Sequence, residues 1–412
     1  MKILLSAFAC APGQGSEPGL GWGVVSSIAS EHDVWVLTHP FHQPQIAPVL
    51  RAGTLGNVRF MFPRSRIGES PRWDLEAGGS TGGRGLLFYP HYVGWQVAAF
   101  QLARQLHQSI GFDLVHHVTY ANSWLPSCMG WLAAPFIWSA GAREHTPRVF
   151  LSEMSRHARR AEVTRNLAMT VLGEATHYIT AKRADLILTA SDPRCWAPGL
   201  PVRRFQVGGV LPGELDRFAA IAERHERPFR VASIGRLLGW KGFGMGLRAF
   251  AQLRRTVPDS EYWVVGNGPE RGALEALAHR LGCAESVRFK GWLPREEVLE
   301  VLANTDVLLH PSLHEQFGFV LLEAMAAGRP VICLAAGGPT ELVGTQGGIV
   351  VDVHSPRQVV ADLAHALEEL ALDPAKRLEL GRSSRQWVLS NWTWDRTAAR
   401  LQACYDVVTR RP

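Results

Sequence analysis

The sequence predicts an α/β protein made of two doubly wound parallel sheets, each covered by helices on both faces. Three observations carry that reading. Short runs of aliphatic and β-branched residues recur along the chain, as strands buried on both faces require. Amphipathic segments separate them, and strand–helix alternation implies parallel pairing through crossover helices. The 412 residues exceed one domain of about 100–200 residues and favour two.

In the first block the candidate strands are 3–8, 34–37, 58–62, 114–118, 136–138 and 186–189. The second block offers 231–234, 262–265, 287–289, 307–309, 331–334 and 349–351. Helical faces show between them, as in Leu247, Phe250, Ala251 and Arg254, and in Leu274, Leu277, Ala278 and Leu281. The N-terminus has one Lys before a short apolar run, a weak signal-peptide pattern. The Gly-rich turn and helix-like segment that follow at once favour a first buried strand. Residues 206–228 mix Gly, Pro and charge, with little strand character. The expected organisation is therefore a domain over 1–205, a linker over 206–228 and a second domain over 229–392. A helix over 393–412, with Ala398, Leu401, Tyr405 and Val408 in register, is expected to cross back to the first domain. Residues 78–85 (GGSTGGRG) read as a loop.

Composition excludes several classes. The apolar share is 46% and the charged share 19%, which is too apolar for disorder. No uninterrupted apolar stretch reaches the roughly 18 residues of a membrane-spanning helix. The six cysteines contain no C-x-x-C spacing, against a zinc site or a disulfide framework and in keeping with a reducing cytosol. The net charge of +6 suggests anionic partners such as nucleotide phosphates or lipid headgroups. Lysines are scarce: Lys2, Lys182, Lys241, Lys290 and Lys376 are the full set. A Lys inside a motif is thus a less automatic choice than an Arg.

The chemistry concentrates in 310–343. A strand at 307–309 leads into a loop with Glu315, then into a helix expected from about Phe317 that carries Glu323. A second strand, 331–334, ends in Gly337-Gly338-Pro339 before another helix. Two helix N-termini then share the carboxyl edge of a parallel sheet, where ligands of open α/β sheets bind and backbone N–H groups suit phosphate. Glycines 318, 337 and 338 allow close approach to the backbone. A carboxylate accepts two hydroxyl hydrogen bonds from a sugar diol. Taken singly, each Glu reads more simply as a helix cap or a satisfied structural carboxylate; the pair with its flanking glycines favours a ligand.

At these residues the sequence resembles retaining glycosyltransferase family 4, of the GT-B fold. The carrying motifs are Glu315-x7-Glu323 after Pro311-Ser312, IGRLLGWKGF at 234–243 and VGNGPE at 265–270. GSEPGLGW at 15–22 resembles the Gly-rich loop of a bacterial polysaccharide-assembly branch. The resemblance implies two facing Rossmann-like domains with a cleft between them, the second holding a nucleotide sugar, most often a UDP- or GDP-sugar. It implies that Arg236 and Lys241 bind the donor diphosphate, that Glu323 binds the ribose and that Glu315 contacts the sugar hydroxyls. Phe317 and Gly318 would offer backbone N–H groups; Gly266, Asn267, Gly268 and Pro269 would border the base; Gly15 would face the diphosphate across the cleft. Two cations at a departing diphosphate do the work of a metal ion, so neither metal nor cofactor is expected.

The first domain departs from the family pattern. The usual functional His would fall at Val118, whereas His116 and His117 precede it. Strand alternation lets one of them face the cleft; His117 is slightly preferred over His116, and a buried structural His is nearly as good a reading. Arg143 and Glu144 stand where a Gly-rich stretch is usual and are assigned to the acceptor side. Residues 143–165 hold six Arg against three Glu amid apolar residues, so this segment reads either as an anionic-membrane dock or as a solvated helix. Trp73, Trp95, Trp124 and Trp131 lie in the same domain, with core packing their first reading. No Asp-x-Asp triplet, complete G-x-G-x-x-G, Walker loop or hydrolase elbow occurs, and no basic-aromatic nucleic-acid motif is present. The expected activity is metal-independent, retaining transfer of a sugar to a glycan or polyprenyl-linked acceptor in surface polysaccharide assembly. The expected location is the cytoplasm, extending to the inner membrane face. The alternatives are a nucleotide-sugar epimerase of the same fold and an inactive sugar-nucleotide-binding subunit.

Overall fold

The computed structural model describes residues 1–65, 67, 85–120, 126–141, 146–171, 173–210, 212–219 and 228–410. Two parallel sheets organise it. The first contains β1 (Lys2–Ala7), β2 (Asp33–Leu37), β3 (Val58–Met61), β4 (Leu114–Thr119), β5 (Phe136–Ala140), β6 (Leu186–Thr189) and β7 (Val202–Arg204), in the order β3-β2-β1-β4-β5-β6-β7. The second contains β8 (Phe229–Ile234), β9 (Ser260–Val265), β10 (Val287–Gly291), β11 (Val307–His310), β12 (Val331–Leu334) and β13 (Gly348–Val351), in the order β10-β9-β8-β11-β12-β13. Every candidate strand of the sequence reading is present. β7 was missed: it is a three-residue edge strand carrying two exposed arginines, so it has no apolar signature.

Each sheet reverses its winding once, between β1 and β4 in the first and between β8 and β11 in the second. Beyond the carboxyl ends of those strand pairs lies the crevice in which such sheets bind ligands. Residues 8–17 and 120 follow the first pair; residues 235–242 and 311–318 follow the second.

Two segments link the units. The helix Trp394–Thr409 lies on the helix Ser16–Ile28 and shares the first sheet's core through Leu401, Cys404, Tyr405 and Val408. Each fully buried aliphatic or aromatic side chain of this kind contributes roughly 1.5–3 kcal/mol. Gly23 makes the fit possible, because a methyl group there would sit 1.9 Å from the Trp394 ring. The second link runs the other way. Phe150, Met154 and Ala158 are buried in the core that covers the second sheet, among Phe243, Leu247 and Val359. Ser155 hydrogen-bonds Glu270, and Arg248 pairs with Glu153 at 2.5 Å. Residues 148–160, placed within 1–205 by the sequence reading, thus form an arm that packs on the second unit. Residues 78–84, Trp73, Trp124, Arg143 and Glu144 lie outside the described residues, as do 211 and 220–227 of the expected linker.

Candidate active site

The second unit's carboxyl edge is built by loops pressed together. β8 runs into Arg236 and a 3₁₀ turn, Gly239–Lys241, before the helix Phe243–Thr256. Gly242 takes φ +68, and a methyl there would lie 1.9 Å from the Pro311 carbonyl oxygen. Only glycine lets this turn touch the loop after β11. The Leu313 N–H donates to the Trp240 carbonyl at 2.8 Å, closing the contact. Behind the Arg236 loop, Gly266 takes φ +125 with its α-carbon against the Gly235 carbonyl, and Leu237 N–H donates to Asn267 O at 3.0 Å. Asn267 Oδ1 accepts from Gly268 N–H at 3.0 Å. The 266–269 segment therefore buttresses the turn that carries Arg236.

That approach brings Lys241 and Glu315 together. Lys241 Nζ donates to Glu315 Oε2, and His310 Nε2 lies 3.3 Å from the same oxygen. Burial alone would raise the Glu315 pKa, but Lys241 and His310 reverse it and hold the carboxyl well below the usual range. Burial and Lys241 together lower His310, which is therefore neutral at pH 7. Arg236 is also lowered by burial, an effect opposed by Tyr120 of the first unit.

Glu323 projects from the helix Phe319–Ala326, whose N-cap Gly318 has φ +88. The helix thus begins two residues later than the sequence suggested. Glu323 is buried, with Oε1 accepting from Arg295 Nη1 at 2.8 Å; Arg295 Nε donates to Glu214 at 2.6 Å. A methyl added at Gly15 would be 3.7 Å from Arg295 Nη1, so this guanidinium reaches from the Glu323 carboxylate to the first unit's Gly-rich loop. Sequence reasoning missed Arg295. Its one signal is a cation at the first position of a helix, a place that normally favours acids. The Phe317 ring packs on Phe319, Trp392 and the Gly208 backbone.

The histidines of β4 need correction. Alternation along the strand sends them to opposite helical layers rather than to the open edge. His116 lies 2.9 Å from Tyr405 Oη and 2.7 Å from Ser139 Oγ; His117 lies 3.0 Å from Ser127 Oγ and 3.4 Å from Tyr92 Oη. Both rings are buried, and burial lowers both to about 3, so they are neutral. Neither faces the cleft as expected. The edge position belongs to Tyr120, whose carbonyl accepts from Tyr92 Oη at 3.1 Å. The Tyr120 N–H donates to Glu17 Oε2 at 3.0 Å.

A third cluster ties the arm to the site. Glu162, buried in the helix Arg156–Val171, accepts from Thr146 Oγ1 at 2.5 Å and from Arg165 at 2.5 and 3.0 Å. His314 Nε2 lies 3.4 Å from it, next in sequence to Glu315 and stacked on Trp240 at 5.3 Å. Burial would raise Glu162, but His314, Arg165 and Thr146 together lower it to about 2.

Comparison with known proteins identifies the family and the fold. The family described as Glycosyl transferases group 1 matches residues 216–387. The D-inositol 3-phosphate glycosyltransferase of Corynebacterium jeikeium (strain K411) is 31% identical over 341 residues, covering 76% of this chain and 77% of that one. The chain belongs to the group 1 glycosyl transferases. It is a transferase enzyme, and family 4, read from its motifs, is compatible with that membership. A second relative of this glycosyltransferase is the GDP-mannose-dependent alpha-(1-6)-phosphatidylinositol monomannoside mannosyltransferase of Mycobacterium tuberculosis (strain ATCC 25618 / H37Rv). It is 34% identical over 232 residues, which is 54% of this chain and 58% of that one. Among solved structures, sucrose-phosphate synthase from Thermosynechococcus elongatus superposes over 98% of both chains with TM-score 0.65 at 19% identity, which establishes the GT-B fold.

Proposed function

We propose that this glycosyltransferase takes a hexose from a nucleotide-sugar donor held at the second unit's carboxyl edge. It passes the hexose, with retention and without a metal ion, to a hydroxyl of a glycan or lipid-linked acceptor in surface polysaccharide assembly. The observation that carries the reading is the Lys241–Glu315–His310 cluster beside Arg236 at the β8/β11 switch point. Lys241 and Arg236 supply positive charge where a leaving diphosphate gathers negative charge. Glu315, ionised and held on one oxygen, is suited to accept sugar hydroxyls on the other. Glu323 is suited to a ribose diol, with Arg295 fixing its orientation. GDP-mannose, named for the mycobacterial relative, is a first donor to try. The test is nucleoside diphosphate release from UDP-, GDP- and ADP-sugars, with inositol phosphate, phosphatidylinositol and polyprenyl-linked sugars as acceptors, in EDTA and in Mg²⁺. One donor should turn over equally in both conditions; a strict metal requirement refutes the metal-independent mechanism.

We further propose that the arm docks on an anionic membrane. Among the described residues, no helix is long and apolar enough to cross a bilayer. The helix Arg156–Val171 exposes Arg156, Arg159, Arg160, Val163 and Leu167, positions that share one face, and Val149 is exposed just before it. Each cation near an anionic surface contributes about 1 kcal/mol, so attachment is reversible and salt-sensitive. Vesicles rich in anionic lipid should co-sediment the protein at low salt, and Arg156, Arg159 and Arg160 changed together to Glu should abolish this. Equal, negligible binding to neutral and anionic vesicles refutes the dock.

A further inference from the structure

The two loops of the candidate site meet through two side-chain contacts. Trp240 and Lys241 are neighbours in the turn after β8, and His314 and Glu315 are neighbours in the loop after β11. One contact pairs Lys241 with Glu315. The other stacks Trp240 on His314, with ring centroids 5.3 Å apart and planes 17° from parallel. Each charged residue shares a peptide bond with one of the rings. Where the rings sit therefore governs where the charges sit.

The ring contact is seated on the arm. His314 Nε2 lies 3.4 Å from Glu162 Oε1 and 3.2 Å from Arg165 Nη2. The Arg165 guanidinium also lies 5.9 Å from the Trp240 ring centroid. Both oxygens of the buried Glu162 are held: Thr146 Oγ1 and Arg165 Nη2 donate to Oε1, and Arg165 Nε donates to Oε2 at 3.0 Å. Gly239 lets the arm close on the turn, because a methyl there would sit 2.8 Å from Ala158 Cβ and 3.0 Å from Met154 Sδ. Holding the arm in place does not require this network. Phe150, Met154 and Ala158 already bury the arm in the second unit's core. A buried ion pair is often no more stabilising than an apolar group of the same shape. What the ionic cluster adds is direction, since guanidinium and carboxylate hydrogen bonds fix angles that apolar contacts leave loose.

We infer that Glu162 is a positioning residue for the transfer: with Arg165 it fixes His314 and Trp240, and through them the Lys241–Glu315 pair. The inference rests on the proposed nucleotide-sugar reaction. Lys241 must stand where charge gathers on the leaving diphosphate, and a misplacement of about 1 Å at such a group costs up to about 10² in rate. Glu162 acts through its neighbours and needs no contact with the substrate. The site is thereby completed across both units: an arm that continues the first unit's chain orients a cation of the second.

Glu162→Gln keeps the volume and removes the charge that holds Arg165 and His314. His314→Gln breaks the same contact from its partly exposed side. Two readouts judge them. The first needs no substrate: acylation with acetic anhydride followed by mass spectrometry compares Lys241 with Lys290 of the same unit. An ammonium held in an ion pair is a poor nucleophile, so Lys241 should react several times faster in either variant, with Lys290 unchanged. The second readout is kcat, with UDP-glucose and GDP-mannose as donors and D-inositol 3-phosphate and a polyprenyl-diphosphate-linked sugar as acceptors. It should fall about tenfold or more, with nucleoside diphosphate affinity by calorimetry nearly unchanged. In a Lys241→Ala background the same substitution should cost nothing further, because effects carried through one partner do not add. Equal losses in both backgrounds, or unchanged Lys241 reactivity, overturn the assignment and leave Glu162 a structural group of the arm. If Glu162→Gln does not fold, His314→Gln decides by the same two readouts. If neither donor turns over with the wild-type protein, the proposed donor class fails, and the labelling comparison still decides the role of Glu162.

Discussion

The two carboxyl edges that face each other are built on opposite electrostatic plans. At the second unit's edge Glu315 pairs with Lys241 and His310, and Arg295 holds Glu323 together with Glu214 of the preceding segment. At the first unit's edge Glu17 accepts the Tyr120 backbone N–H and, among the described residues, has no ion-pair partner; the β4 histidines lie behind that edge, buried and neutral. A site that holds a doubly charged diphosphate needs cations aligned by carboxylates. The contrast teaches that charge pairing, rather than residue type, separates the two edges.

The largest expected effect breaks the donor edge. Lys241→Ala should reduce kcat by on the order of 10²–10³ while raising donor KM much less, since charge on the diphosphate grows toward the transition state. Steady-state kinetics read the split; a change confined to KM would make Lys241 a ground-state binder. Glu323→Ala should do the reverse, weakening nucleotide binding first, because a ribose contact changes little along the reaction. Isothermal titration with the nucleoside diphosphate alone isolates that step, and unchanged affinity would remove Glu323 from the ribose.

A smaller effect sharpens the comparison where the two units meet. Glu162 is lowered from 4.5 to about 2 by partners on both sides of the arm contact. A depressed carboxyl stabilises the fold above its unfolded pKa, and that contribution is lost as pH falls through the folded value. Glu162→Gln should therefore destabilise at neutral pH, on the order of 3 kcal/mol for a broken buried pair. The deficit should shrink between about pH 4.5 and pH 2. Denaturant melts across that range check it, and a pH-independent deficit would mean lost packing instead.

The motifs of the candidate site were legible because each is local in sequence: a strand, a turn glycine, and cations or carboxylates at fixed spacing. The central strands were legible because both faces are buried, leaving unbroken apolar runs such as 3–8 and 331–334. What escaped reading depends on partners far along the chain. The arm 148–160 is charged at its surface, and only its contacts with Phe243 and Val359 reveal its core residues. Arg295 gains meaning from Glu323 and Gly15, and Glu162 from His314. For the β4 histidines, alternation was the right argument, but the face was misjudged: Tyr405 and Tyr92 claim both rings.

One structure determination tests the central division most directly: crystals of the protein grown with UDP or GDP. The account predicts the diphosphate within hydrogen-bonding distance of Arg236 and Lys241 and the ribose on Glu323. A nucleotide seated on the first unit's edge beside Glu17 would contradict it.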